Sequence, residues 1–460
     1  MTPLPTSSSS QTPPPSPSAT PPPSSLRSWG RKQGGDSRVL VLGAGVSGMA
    51  AARLAASLGM RVTIYAERAP DEPVVDFGMA SGTWDPTLLE GTDLVIASPG
   101  FSERSHPVVE TLERGVPIWS EIEFASRQID VPLVAVTGTN GKTTVTEAAA
   151  AMLDASGLDA PATGNIGAPL SDFAENDYDA LVVEASSFQL RFTEQFHPVA
   201  AAITNVALDH LDWHGSPHSY RAAKGRIYAN QTEADLLVYD ADDEGASTLV
   251  LDAVSELFPV SGTRLPEGGG GLDGGTLRVR EVAVDVADLT SDDPIHLVNL
   301  ACAAALALRV GATPEGVASG AISYHPGAHR RTVVAESDGV TWVNDSKATN
   351  PHAALASIRA HGSVVLIAGG LAKGIDLSPL AEEDNVRMII GIGEAGPELV
   401  EAAGDRGRLA GTLEIAVEAA ARIAVPGDTV LLAPGCASFD QFASYGARGD
   451  RFAELVRERL

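Results

Sequence analysis

Lysine is scarce in this chain. Of its 32 basic residues, 27 are Arg and five are Lys: Lys32, Lys142, Lys224, Lys347 and Lys373. Guanidinium is permanently charged, whereas the lysine ammonium is a compact point charge that can lose its proton. Codon bias plus chance is the bland reading of the habit, and each Lys is weighed against it by the motif around it. Cysteine is scarcer still, with only Cys302 and Cys436. Two thiols cannot frame a chain of this size with disulfides, and a reducing, cytoplasmic compartment is expected. No apolar run approaches the ~18 residues of a membrane helix. The N-terminus lacks the apolar core of a secretory signal, so membrane insertion is not expected. Positive charge is outweighed, 32 − 59 = −27, which leaves no whole-chain footprint for nucleic acid or an anionic membrane surface.

The 460 residues, 44% of them hydrophobic, suggest roughly two to four domains. Residues 1–37 are Pro, Ser and Thr with little apolar bulk, and are read as a disordered tail. From Arg38 onward, short β-branched runs alternate with Ala-rich helical stretches. This pattern predicts parallel sheets in three successive α/β domains, over residues 38–129, 130–325 and 326–460. A Gly-rich stretch, Glu267 to Gly275, reads as a hairpin loop rather than a linker.

Several motifs carry chemistry. GAGVSG, with Gly43, Gly45, Ser47 and Gly48, follows a strand and opens a helix. Such a turn either presents N–H groups to a phosphate or is simply a tight strand–helix connection. A nicotinamide site on it would use Glu67 at the end of the next strand for the ribose. The run Thr137 to Thr144 follows the strand PLVAV. It departs from the strict P-loop spacing, because Val136 stands where the first Gly would be, but the physics is the same. Gly138, Thr139, Asn140 and Gly141 turn backbone N–H groups toward phosphates, Lys142 supplies a point charge, and Thr143, followed by Thr144, offers a hydroxyl to Mg²⁺. Glu184 ends a buried-looking strand and needs either an Arg partner or a metal ion. DHLDWH places His210 beside Asp209; no Cys pair or HExxH supports zinc there. Lys224 sits between Arg221 and Arg226 in a predicted helix. It is either an exposed charge or, uniquely for Lys, an amine able to take up CO₂ as a carbamate and become a metal ligand. In the last third, HRRTVV, WVNDSKATNP, GGLAKGID and PGCASFDQF bring candidate residues to loops, most of them at the carboxyl ends of strands.

Together these residues resemble the Mur ligases, the ATP-dependent amide-forming enzymes of peptidoglycan precursor synthesis. TGTNGKTT also resembles the loop of folylpolyglutamate synthases. GNIG, EASSFQL, DHLDWH, YRAAKGRIY, NDSKATN and CASFDQF, followed by Arg448-Gly449, resemble the branch that adds D-glutamate to UDP-N-acetylmuramoyl-L-alanine. The likeness runs from about Arg38 to the C-terminus. It implies a Rossmann-like UDP-binding domain, a central P-loop ATPase domain and a Rossmann-like amino-acid-binding domain, working as a monomer with ATP and Mg²⁺. It implies substrate contacts at the GAGVSG turn and at Asn165, and phosphate and Mg²⁺ contacts at Lys142 and Thr143. It further implies metal-site roles for Glu184, His210 and a carbamylated Lys224, with ATP contacts at Asn299, Arg330 and Asp345. Lys347, Thr349, Lys373, Ser438 and Tyr445 would meet substrate or D-glutamate. Three positions depart from the family's habit: His296 is displaced from its usual His-Asn pair, Tyr445 replaces a frequent Phe, and the acid after the second strand is Glu67. A nicotinamide oxidoreductase built on GAGVSG would leave the phosphate loop and the motif lysines unexplained. A catalytically inactive binding protein would not need so complete a site.

Overall fold

The computed structural model describes residues 37–70, 73–372 and 374–459. The disordered-tail reading, except at Ser37, therefore falls outside the described residues, as do Lys32 and Lys373. Among the described residues, twenty strands form three sheets of five, nine and six strands.

The first sheet is wholly parallel, in the order 78–81, 61–66, 38–42, 94–97, 118–120. Its strand order reverses between 38–42 and 94–97, and the GAGVSG turn sits at that crevice, where open α/β sheets place ligands. Gly48 must be Gly, since a Cβ there would lie 1.9 Å from the Gly43 carbonyl oxygen. Gly45 faces open space, so its backbone is approachable from outside.

The nine-stranded sheet is built around Leu133–Thr137, flanked by Leu181–Glu184 and Ala200–Ile203. Both of its faces are covered, which explains the near-continuous apolar runs. Val134 and Val136 point into a core with Val145, Met152 and the helix Pro294–Arg309. Leu133 and Ala135 face the opposite core, with Leu190, Phe196 and Ile227. The Ala-rich sequence of Pro294–Arg309 lets it pack closely on the helix Lys142–Asp154 that follows the phosphate loop. Truncating Leu300, which is fully buried there, would cost about 2–5 kcal/mol.

Two expectations are corrected. The second and third sheets are mixed: 270–273 and 282–285 each pair antiparallel with 276–279, and 332–337 is antiparallel to 340–344. Short connections between these neighbours permit hairpins, where a parallel pair would need a long crossover. The Gly-rich stretch is also not all loop. Gly270–Asp273 is a strand, and only Gly274-Gly275, with φ of +55° and +91°, makes the tight turn.

In the third sheet, Val340–Asn344, Thr429–Leu432 and Val364–Gly369 are adjacent and parallel. The loops NDSKATN and PGCASFDQF and the segment from Gly369 leave their carboxyl ends side by side. Among the described residues, no helix is long and apolar enough to cross a membrane.

Candidate active site

The phosphate loop follows the strand Leu133–Thr137 and ends at Gly141, the N-cap of the helix Lys142–Asp154. Two of its glycines are dictated by space. Gly138 has a φ of +155°, and a Cβ there would lie 1.8 Å from the Thr204 hydroxyl. Gly141 has a φ of +82°, and its Cβ would lie 2.7 Å from the Asn299 side-chain oxygen. Neighbouring side chains hold the loop open. Asn140 N–H donates to Asn205 Oδ1 at 2.8 Å, and the Thr139 hydroxyl meets the Tyr220 hydroxyl at 3.0 Å. Thr143 is half-buried and Thr144 buried behind it.

Lys142 curls back over its own loop, donating Nζ–H to the carbonyls of Gly138 at 2.9 Å and Thr139 at 3.0 Å. Burial pushes its ammonium below the usual range, while Glu184 and Asp209 pull the other way. Lys224 reaches the same place from the helix Pro217–Gly225. It is buried, donates to Gly138 O at 2.6 Å, and stands 4.6 Å over the Tyr220 ring. Desolvation drives it well below the ordinary lysine range, and the positive charge of Lys142 adds to that. A neutral amine is the form that reacts with CO₂.

Glu184 ends the strand Leu181–Glu184 and is buried. One carboxylate oxygen accepts from the Asn165 amide at 2.9 Å, while Oε2 is buried with no hydrogen-bond partner. An orphaned buried carboxylate oxygen fits a cation. His210 lies in the left-handed region at φ 54°, its ring packed edge-on against Phe188 at 4.6 Å, with Nε2 3.6 Å from Asp209. Among the described residues no three His, Cys, Asp or Glu side chains gather as a metal cluster. A cation held here therefore needs hydroxyl, phosphate or carbamate oxygens beside Glu184, a donor set that suits Mg²⁺.

The last third closes over this loop. Asn350, N-cap of the helix Pro351–Arg359, exchanges hydrogen bonds with the Asn140 side chain, giving one at 3.0 Å and receiving one at 3.3 Å. It also donates to Asp209 Oδ2 at 3.2 Å. Arg330 lies 3.4 Å from Glu147 on the phosphate-loop helix. Asp345 is buried, which raises its carboxyl, and Arg331 opposes that rise. Lys347 lays its ammonium 4.0 Å over the Tyr445 ring. Thr349 and Ser438 lie on the adjoining loops, Ser438 buried and accepting at its carbonyl from the Phe442 N–H at 2.8 Å. His296 caps nothing at the loop: its ring meets the Thr290 hydroxyl at 3.2 Å, and burial lowers its imidazole.

Sequence reasoning passed over Tyr220, Asn350 and the role of Arg448. Tyr220 had a signal, since it precedes Lys224 by four residues and so shares its helix face. Asn350 before Pro351 is an N-cap signature. Arg448 is buried and donates to Ser346 Oγ and O, both at 3.0 Å, and to Cys436 O at 3.2 Å. It thereby ties two site loops together, and burial lowers its guanidinium to about 10.

The Mur ligase middle domain matches residues 136–257 and the Mur ligase glutamate ligase domain residues 329–436. Residues 31–79, which include the GAGVSG turn, match the alanine dehydrogenase/PNT C-terminal domain. The chain belongs to the Mur ligase family, and is an ATP-dependent ligase that forms amide bonds. A relative from Streptomyces avermitilis, the UDP-N-acetylmuramoylalanine–D-glutamate ligase, is 41% identical over 91% of this chain and 97% of its own. The protein of that name from Frankia casuarinae is 40% identical over 92% and 94%. Among solved structures, a pseudomurein peptide ligase type C from Methanothermus fervidus superposes with a TM-score of 0.59 at 18% identity. It covers 92% of this chain and all of the other, a likeness of fold alone.

Proposed function

We propose that this chain joins D-glutamate to UDP-N-acetylmuramoyl-L-alanine, releasing ADP and phosphate, in the synthesis of a peptidoglycan precursor on which cell shape and division depend. The observation that carries this reading is the identity of about 40% with D-glutamate-adding ligases across nearly the whole of both chains. The three domains would divide at about residues 129 and 325, the first taking the UDP part on the turn of Gly43, Gly45, Ser47 and Gly48. A cytoplasmic monomer is the matching working form.

A carboxylate is a poor acyl donor because its oxygen is a poor leaving group. Phosphoryl transfer from ATP to the terminal alanine carboxylate makes an acyl phosphate and frees ADP. The amine of D-glutamate then attacks the acyl carbon, the tetrahedral intermediate expels phosphate, and the nitrogen loses its proton. The site's geometry supports this division of labour. The loop N–H groups and Lys142 would face the transferring phosphoryl group and offset its charge. Thr143, Glu184, His210 and a carbamylated Lys224 would hold Mg²⁺, which would neutralise phosphate charge when bound; the orphaned Glu184 oxygen and the desolvated Lys224 amine support that set. Asn165, hydrogen-bonded to Glu184, would orient the muramoyl side. Asn299, Arg330 and Asp345 would meet the nucleotide. Thr349, Lys373, Ser438 and Tyr445 would hold D-glutamate, with Lys347 anchoring substrate beside them, so that the amine faces the acyl carbon, which makes the second step effectively intramolecular.

The test is phosphate release from ATP with UDP-N-acetylmuramoyl-L-alanine, comparing D-Glu with L-Glu, L-Ala and diaminopimelate. Release only with D-Glu is expected. Release without any amino acid, or at equal rates with all four, would overturn the assignment.

A further inference from the structure

The helix Pro217–Gly225 has two working faces. Tyr220 and Lys224, four residues apart, are buried toward the phosphate loop. On the other face, His218, Arg221, Ala222 and Gly225 follow one helical stripe and line a cavity of about 440 Å³. The cavity runs on into a second hollow of about 380 Å³, which shares His218, Ala222 and Arg226 and is bounded by Arg191 and Glu103. Neither hollow is lined by Lys142, Glu184, His210 or Lys224.

The charge here is uncommon for a chain of net charge −27. Arg191 is paired with Glu103, and Arg226 donates to the Thr193 carbonyl while its Nε is buried without a partner. Arg221 and His218 make no hydrogen bond or ion pair with any described residue, although elsewhere Arg53, Arg127, Arg331 and Arg387 all meet carboxylates. Among the described residues, Asp252 is the only carboxylate lining the first hollow. The rest of the lining includes the Tyr228 ring and the aliphatic side chains of Leu249 and Ala229, with Thr248. Tyr228 is fixed by donating its hydroxyl to Leu249 O at 2.6 Å.

Unpaired guanidinium and imidazole groups set against an aromatic and aliphatic wall suit a ligand with an oxyanion at one end and an apolar body at the other. The hollow is an open surface groove, with His218, Ala222, Ala229, Thr248 and Asp252 exposed along it. Planar guanidinium also matches phosphate oxygens in a bidentate fork. We propose that this groove is a second binding site, separate from the ATP loop, for a small phosphate monoester with an apolar body. Its oxyanion is held by Arg221 and His218, and its apolar body lies on Tyr228 and Leu249.

The probe is phenyl phosphate, titrated by calorimetry into the full chain already saturated with Mg²⁺ and the non-hydrolysable analogue AMPPNP. A single saturable site is expected. The double variant Arg221→Gln, His218→Asn should weaken it by about tenfold or more while leaving the melting temperature unchanged, since neither side chain has a partner to lose. Ala222→Trp keeps both Arg221 and His218 but fills the groove, and should abolish binding. Absence of saturable binding to the native chain, equal affinity in both variants, or binding seen only without AMPPNP would each overturn the proposal.

Discussion

Lys142 and Lys224 donate to one acceptor, the carbonyl oxygen of Gly138, at 2.9 and 2.6 Å. Two ammonium groups on one carbonyl repel each other, and both are also desolvated by burial. The pair is relieved if one amine is neutral, and it is Lys224 whose charge is more strongly disfavoured. Carbamylation would turn that amine into an anion beside Lys142 and exchange repulsion for attraction.

Lys224→Arg therefore keeps a cation and removes the chemistry, since guanidinium cannot form the carbamate under these conditions. Phosphate release should fall by about a thousandfold or more, of the order seen when a preorganised charge at a transferring group is lost. Mass spectrometry of the native protein, prepared in bicarbonate and kept from acid, should show an added CO₂ on the peptide carrying Lys224. Full activity in the Arg variant would rule the carbamate out.

Asn140 and Asn350 form a reciprocal amide pair between the phosphate loop and the last domain, and Asn350 also holds Asp209. Replacing Asn350 with Ala removes these bonds and an N-cap, whose loss costs about 1 kcal/mol by itself. Capping can be separated from bridging, because Asn350→Ser keeps a cap but is too short to bridge. If the bridge holds the closed state, the Ser variant should keep the native melting temperature to within about 2 °C, the shift roughly expected of a small stability change. Its KM for ATP should rise by about tenfold, in line with the loss of two or three hydrogen bonds. An unchanged KM in the Ser variant would assign the pair a purely local role.

Tyr445 supplies a face for the Lys347 ammonium at 4.0 Å. Phe keeps that face, so Tyr445→Phe should leave the KM for D-Glu within about twofold. Tyr445→Ala removes a cation–π contact worth about 0.5–2 kcal/mol and frees Lys347 to move. A rise of about three- to thirtyfold in KM for D-Glu is expected, with KM for ATP nearly constant. Steady-state kinetics with each substrate varied in turn separates the two.

Much of the fold was legible because the central strands are short, β-branched and buried on both faces, as in Leu133–Thr137 and Leu181–Glu184. The edge strands were not. Thr332–Ser337 and Val282–Asp285 carry charge on their open sides, and their antiparallel pairing depends on two-residue turns, not on a hydrophobic run. At the site, the scarcity of Lys pointed to Lys142, Lys224 and Lys347 because each sits in a motif. Partners brought from far along the chain carried no such mark. Asn140 meets Asn350 across 210 residues, and Arg448 meets Ser346 across 102. Contacts of that kind exist only once the sheets are folded and stacked.

Glu121 offers a measurement of stability apart from catalysis. It opens the helix Glu121–Ser126, is buried, and accepts from Ser171 N–H at 2.6 Å, while its Oε2 has no partner. Two positions on, Glu123 is as deeply buried but receives the backbone N–H groups of Glu194, Gln195 and Phe196 and pairs with Arg127. Desolvation raises the Glu121 carboxyl from 4.5 to about 7, the Ser171 hydrogen bonds opposing it. Because the folded state favours the protonated form, it binds more protons than the unfolded chain between those two values. Stability therefore falls as pH rises from about 4.5 to 7, and the loss is complete above that window. Glu121→Gln removes the titration. Its melting temperature relative to the native chain should climb between pH 5 and pH 8, by the equivalent of roughly 1–3 kcal/mol. Comparing each protein with itself across pH cancels any fixed cost of the amide. Parallel pH profiles for the two proteins would show that Glu121 is ionised in the folded state.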